Sequence, residues 1–221
     1  MPLSPRHLAA ALAGATALAT APAAPAAPGI PGYAHGQPGL ARSPVSLQEL
    51  DALRRTLLLG DDDVQALCQS RDILADQVEA ILDVWYGFVG ATPELLASFK
   101  HAGTGAPDAA YLGAVRRRFG QWILDTADAR FDQAWLDYQH EIALRHAPAK
   151  KNKTDGVQST PLVPMRYLSA LTVPVTTTLK PFLAKKGASA ADVEKMHAAW
   201  VKSVLLQTIL WSQPYVRDGQ F

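Results

Sequence analysis

His146 is the residue from which the chemistry of this chain can be read. In the run Trp135-Leu136-Asp137-Tyr138-Gln139-His140-Glu141-Ile142-Ala143-Leu144-Arg145-His146, apolar groups fall at 135, 138, 142 and 144. Ile142 and His146, four apart, share one helical face. Ala147-Pro148 follows, and proline lacks the N–H that a further turn would use, so the helix stops close to His146. An imidazole at the end of an apolar face is either a structural residue or a ligand to a metal or a haem iron. Trp85 and Tyr86 on one helix and Phe119 on another supply bulky walls. A flat macrocycle needs such a slot: one imidazole to bind iron axially, apolar walls, and one or two polar groups on the other side. Tyr86 could be that polar group, donating its O–H to a diatomic ligand. By spacing alone, the three aromatics read first as ordinary core.

Other chemistries find little support. No glycine-rich phosphate loop follows a strand. His140 and His146 are six apart, on different helical faces, and have no zinc-protease spacing. No serine stands in a nucleophile elbow, and the carboxylates form no defensible pair. The single cysteine, Cys68, excludes an intrachain disulfide framework and a cysteine-rich zinc site. Lying among Val64, Leu67 and Ile73, it reads as a small buried hydrophobe.

The elements that must position these residues are helices. Ser46-Leu47-Gln48-Glu49 is a capping box, opening a short amphipathic helix from Ser46 to Leu58. Asp61-Asp62-Asp63 begins a longer run through Val89, predicted as two helices with a bend near Arg71-Asp72. Thr92-Pro93-Glu94 is a helix start with threonine as cap. After a glycine-rich loop, Asp108 caps a helix whose Tyr111, Val115, Phe119 and Trp122 line one stripe. Arg116-Arg117-Arg118, inside it, reads as a solvated face with snorkelling stems. Lys150 to Gly156 is a polar, basic loop. A helix from Pro164 to Lys186 contains Pro174 and three threonines, so packing must hold it. Ser189 starts the last helix, which Pro214 ends. No segment shows convincing period-two alternation, so the class is all-α, with seven to nine helices and no repeat.

Composition sets the outer bounds. At 221 residues and 48% hydrophobic, the chain is about one domain with a sizeable core. A net charge of +1 gives no bulk field toward nucleic acid or anionic membrane. Residues 1–29 differ: Arg6 precedes an Ala-rich run from Leu8 to Ala21, then Pro22, Pro25 and Pro28. This leader reads as a secretory signal peptide or as a disordered Ala/Pro tail, and its run is too short to span a membrane. From Gly29 to Val45, glycine and proline dictate an extended arm containing Tyr33 and His35.

Longer stretches carry a resemblance. Trp85-Tyr86-Gly87-Phe88-Val89-Gly90, the run from Ala114 to Thr126, the run from Phe131 to His146, Lys150 to Asp155, Lys180 to Gly187 and Trp211-Ser212-Gln213-Pro214-Tyr215 resemble the protoglobin family. The arm Ile30-Pro31-Gly32-Tyr33 also resembles its N-terminal extension, so the likeness covers residues 30–221. The resemblance implies a globin-like three-over-three helical sandwich with an added N-terminal helix, related to the sensor domains of globin-coupled sensors. It implies haem b with His146 as proximal iron ligand. Trp85, Tyr86 and Phe119 would line the distal side, with Val115 apolar at the usual distal-histidine site and Arg118 meeting a haem propionate. The arm and neighbouring loops would bury the haem deeply, leaving narrow tunnels for gas. Leu171 stands where the family pattern has a distal phenylalanine, which implies a roomier pocket. A homodimer through the last two long helices is implied, as is a cytoplasmic location, with a periplasmic or secreted one if the leader is cleaved.

The function implied is reversible binding of O2, CO or NO, for gas sensing or handling. The alternative is a haem enzyme, an NO dioxygenase or one of peroxidase-like activity. No flavin or nicotinamide domain is recognisable, so turnover would need an external reductase, and signalling would pass to a separate partner.

Overall fold

The computed structural model describes residues 29–221, so the leader reading, Gly29 apart, lies outside the described residues. Among these residues the chain forms eight α-helices and no strand: α1 (Leu47–Thr56), α2 (Asp61–Leu74), α3 (Val78–Ala91), α4 (Pro93–Leu96), α5 (Ala109–Asp128), α6 (Gln133–His146), α7 (Met165–Leu183) and α8 (Ala190–Ser212). No helix among them is long and apolar enough to cross a membrane.

Helix starts follow local chemistry. The Ser46 hydroxyl accepts from the Glu49 N–H at 3.2 Å, while the Glu49 carboxylate accepts from the Ser46 N–H at 2.7 Å. Asp108 and Asp132 cap α5 and α6 by accepting from the backbone N–H of Tyr111 (2.9 Å) and Trp135 (2.8 Å). Ser189 does the same for α8 through Asp192. Each cap satisfies an N–H that has no partner inside its helix.

Three local expectations are corrected. The break between α2 and α3 falls at residues 75–77, not at Arg71-Asp72. Gln77 explains the shift: its side-chain amide donates to the carbonyls of Ile73 (2.6 Å) and Phe182 (3.2 Å), groups an uncapped turn would leave bare. Thr92 occupies the cap position of α4, but its hydroxyl donates backward to the Phe88 carbonyl at 2.9 Å and caps nothing. Cys68 is exposed, not buried. Its neighbour Leu67 takes the inward direction together with Ser70 and Leu74, and one residue along a helix turns the side chain by about 100°.

α8 is the hub, packing on α7, α2 and α6, while α5 packs on α2 and α3, and α3 on α7. Trp200 and Met196 of α8 are fully buried. The Trp200 indole donates to the Ser70 hydroxyl at 2.9 Å, which accounts for a serine with no exposure. α7 runs through Pro174 without interruption. Its threonines turn their hydroxyls back onto carbonyls, Thr176 to Thr172 and Thr178 to Pro174, both at 2.7 Å. Thr178 also accepts from the Trp85 indole at 2.8 Å, tying α3 to α7.

Gly120 sets the approach of α5 to α3. A Cβ there would meet Val78 Cγ1 at 3.0 Å and Leu82 Cδ1 at 3.2 Å. Gly120→Val should therefore lower stability by about 1–3 kcal/mol through overpacking, more than a helix gains from losing glycine. Urea unfolding monitored by circular dichroism measures it; an unchanged midpoint would show that α3 yields freely.

Candidate functional site

A cavity of about 250 Å³ opens between α3, α5, α6, α7 and α8. It gathers all seven side chains singled out from the sequence: Trp85 and Tyr86 from α3, Val115, Arg118 and Phe119 from α5, His146 from α6 and Leu171 from α7. The α5 stripe of Tyr111, Val115, Phe119 and Trp122 faces it as the helical period requires.

The aromatic wall is one continuous cluster of tilted and edge-on rings. The Phe119 ring lies 4.7 Å from Trp85 and 5.2 Å from Trp122, centroid to centroid. Trp122 lies 6.2 Å from Trp211 and donates its indole N–H to Gln207 at 2.5 Å. Tyr86, 6.5 Å from Phe119, lines the same space, and the guanidinium of Arg116 lies 5.5 Å from its ring centroid. Burial raises the Tyr86 pKa, so the phenol stays protonated at neutral pH and can donate.

His146 closes α6. The Ala147 N–H still bonds back to Ala143 at 3.2 Å, after which Pro148 ends the ladder, and the His146 carbonyl accepts from the Val163 N–H at 2.8 Å. The imidazole lies 5.4 Å from the Trp211 ring, itself held by donation to Gln139 at 2.9 Å. His146 Nδ1 is buried without a hydrogen-bond partner, and the residue borders the cavity. Burial, reinforced by the positive charges of Lys151 and Arg145, pushes the His146 pKa down to about 4. The ring is neutral at pH 7 and offers a lone pair. Among the described residues no group of three or more His, Cys, Asp or Glu side chains could hold a metal ion. A lone imidazole in an apolar slot therefore fits a metal that arrives with its equatorial ligands already supplied, as in a macrocycle.

Charge collects where α5 and α6 meet the N-terminal arm. Arg118 grips Asp155 with both terminal nitrogens, at 2.9 and 2.6 Å, and also donates to the Pro31 carbonyl at 2.8 Å. Arg145 donates to Glu141 at 2.9 Å and to the Gly32 carbonyl at 2.6 Å. Gly32 has φ +74°, a conformation that favours glycine, and a Cβ there would press on the Arg118 guanidinium at 2.8 Å. Of the three arginines, Arg117 lies on an exposed face as expected. Arg116 joins exposed Glu79 and Asp83, while Arg118 is only 11% exposed.

The sequence reading passed over several lining residues. Tyr138 and Arg145 lie at i−4 and i+3 from Ile142, so the α6 period already carried their signal. Trp211 was named in the family-like run from Trp211 to Tyr215, but without a place in the site. Lys151 lay in a stretch read as a polar loop, yet is 4% exposed; no local pattern marks it.

The neutral His146 has a consequence for stability. Its pKa is lower folded than unfolded, so the unfolded chain binds the proton first as pH falls. Stability is lost between about pH 6.5 and 4, approaching about 3 kcal/mol. Urea unfolding of the cofactor-free protein at pH 7 and pH 4.5 should show this fall, and His146→Ala should flatten it. An identical slope in the variant would mean that other groups carry the acid sensitivity.

The family model of Protoglobin matches residues 46–221, from the cap of α1 to the end of the chain, leaving the arm outside the matched segment. Comparison with curated proteins finds no match. The helical architecture and a match over most of the chain agree: the chain belongs to the protoglobin family, globin-type haem proteins that bind gases.

Proposed function

We propose that this chain binds haem b through His146 and uses it to bind O2, CO or NO reversibly, for sensing or handling the gas. The observation that carries the reading is the neutral imidazole, Nδ1 buried and unpartnered, at the edge of an apolar cavity. Haem, when bound at His146, would supply an iron able to take up a diatomic gas.

The chain's own residues do the rest. His146 gives the neutral nitrogen, and Trp211 beside it limits how the ring can turn. Trp85, pinned to Thr178, and Phe119, wedged between Trp85 and Trp122, are rigid walls that exclude water. Val115 and Leu171 complete the apolar lining, Leu171 leaving more room than an aromatic residue would. Tyr86 presents a protonated hydroxyl able to donate to a gas molecule carrying partial negative charge. Arg118, already committed to Asp155 and Pro31, serves the cofactor's propionate side by keeping the arm in place. Residues 30–221 would form this globin unit. We read α7 and α8 as the pairing surface of a homodimer, because Val173 (68% exposed) and Leu205 (39%) leave apolar groups outward on them.

Absorption spectra of the purified protein, ferric, dithionite-reduced and CO-bound, test the reading. A Soret band that moves on CO addition is expected; none after haem reconstitution would overturn it. His146→Ala should abolish tight haem binding, and an unchanged spectrum would displace His146 as the ligand. Tyr86→Phe should keep haem and raise the O2 off-rate about tenfold or more, the value of one donated hydrogen bond; an unaltered rate would remove Tyr86 from the distal role. Val173→Glu should convert a dimer to a monomer in sedimentation, and a monomeric parent protein would refute the pairing surface.

A further inference from the structure

Lys151 is a buried lysine at the cavity without a carboxylate partner. It is 4% exposed, and its ammonium donates to the Ser98 carbonyl at 3.0 Å and the Tyr111 hydroxyl at 2.8 Å. Among the described residues it forms no ion pair. Neighbouring Lys150, by contrast, is paired with Glu141. Asp155, the acid whose field reaches Lys151, has both oxygens taken by Arg118.

A lysine ammonium has three donors, and two are used. The Tyr111 oxygen accepts from Lys151, so its own hydrogen is left to donate elsewhere. Both side chains line the cavity, and Tyr111 is itself buried against Phe99, ring centroids 5.4 Å apart. An ammonium and a phenol 2.8 Å apart, each with a hydrogen to spare, match the two oxygens of a single carboxylate. Burying a cation with no counter-ion is costly, and the cost is recovered when a ligand brings the opposite charge. The ammonium's pKa is lowered to about 8 by that burial, in keeping with a charge that lacks compensation.

We infer that Lys151 and Tyr111 form a carboxylate subsite of the cavity, which takes one propionate of the bound porphyrin. The inference rests on the haem reading and adds to it the group that fixes the porphyrin's orientation. Arg118 and Lys151 then divide the work: Arg118 holds Asp155 and the arm, and Lys151 meets the ligand's charge.

The test compares haemin with its dimethyl ester, whose propionates carry no charge, on the full chain and on Lys151→Met and Tyr111→Phe. The parent protein should bind haemin about tenfold or more tightly than the ester. Lys151→Met should lose that preference, weakening haemin while leaving the ester unchanged. Its cofactor-free form should melt at a higher temperature than the parent, since a buried uncompensated charge has gone. Tyr111→Phe should show a smaller loss in the same direction, and it answers the question if Lys151→Met fails to fold. Lys151→Met binding haemin as the parent does, or losing both porphyrins by the same factor, would overturn the subsite alone. A parent protein that binds neither porphyrin would overturn the haem reading itself, and the subsite with it.

Discussion

A single desolvated imidazole governs this structure. An ionised histidine is not tolerated beside two cations in an apolar cavity, so His146 stays neutral, and its Nδ1 goes without a partner. Each element around it serves that condition. α6 must end there, and Pro148 ends it. Trp211 must cover one side of the ring, and α8 brings it there while Gln139 holds its indole. α5 must come close enough to α3 for Phe119 to reach Trp85, and Gly120 permits the approach. The cavity is the space these requirements leave.

The polar groups follow a second rule: among the described residues, each arginine or lysine lining the cavity is paired with an acid, save one. Arg118 and Arg145 each hold an acid and a carbonyl of the arm, so residues 31 and 32 are bound to the same side chains that border the cavity. Further along the arm, the Tyr33 hydroxyl donates to Asp125 at 2.9 and 3.0 Å, and His35 stacks on Tyr138 at 5.4 Å. Asp125 is buried and its pKa is raised by desolvation, with Tyr33 and Gln121 donating to offset that cost. Such networks contribute specificity of arrangement more than net stability, because desolvating the charges consumes most of what pairing returns. Lys151 is the exception, which is why it points to a ligand and the arginines do not.

The fold and most of the site were legible because they rest on local rules. Capping boxes, the apolar period of α5 and the proline after α6 act within a few residues of one another, so the sequence displays them directly. Tyr111, Val115, Phe119 and Trp122 reach one cavity because their spacing obliges one helix face to hold them. Trp85, Tyr86 and Phe119 were chosen by residue type and family likeness, and helix packing brings the rings of Trp85 and Tyr86 to 4.7 and 6.5 Å from that of Phe119. Where local rules competed, the reading slipped. Thr92 had both a cap and a backward carbonyl available and took the carbonyl. Cys68 was judged by its apolar neighbours, although helical rotation separates adjacent residues.

The sequence by itself determined which segments are helices, where most begin and end, and that His146 closes an apolar face. Only the tertiary structure decided where α2 gives way to α3, since the Phe182 carbonyl that Gln77 caps lies 105 residues away. It alone decided that Arg118 is engaged by Asp155, that Trp211 stands over His146, and that Lys151 is buried. Burial and counter-ion pairing depend on which distant groups share a small volume, and the charge state of a side chain follows from that volume, not from its neighbours in the chain.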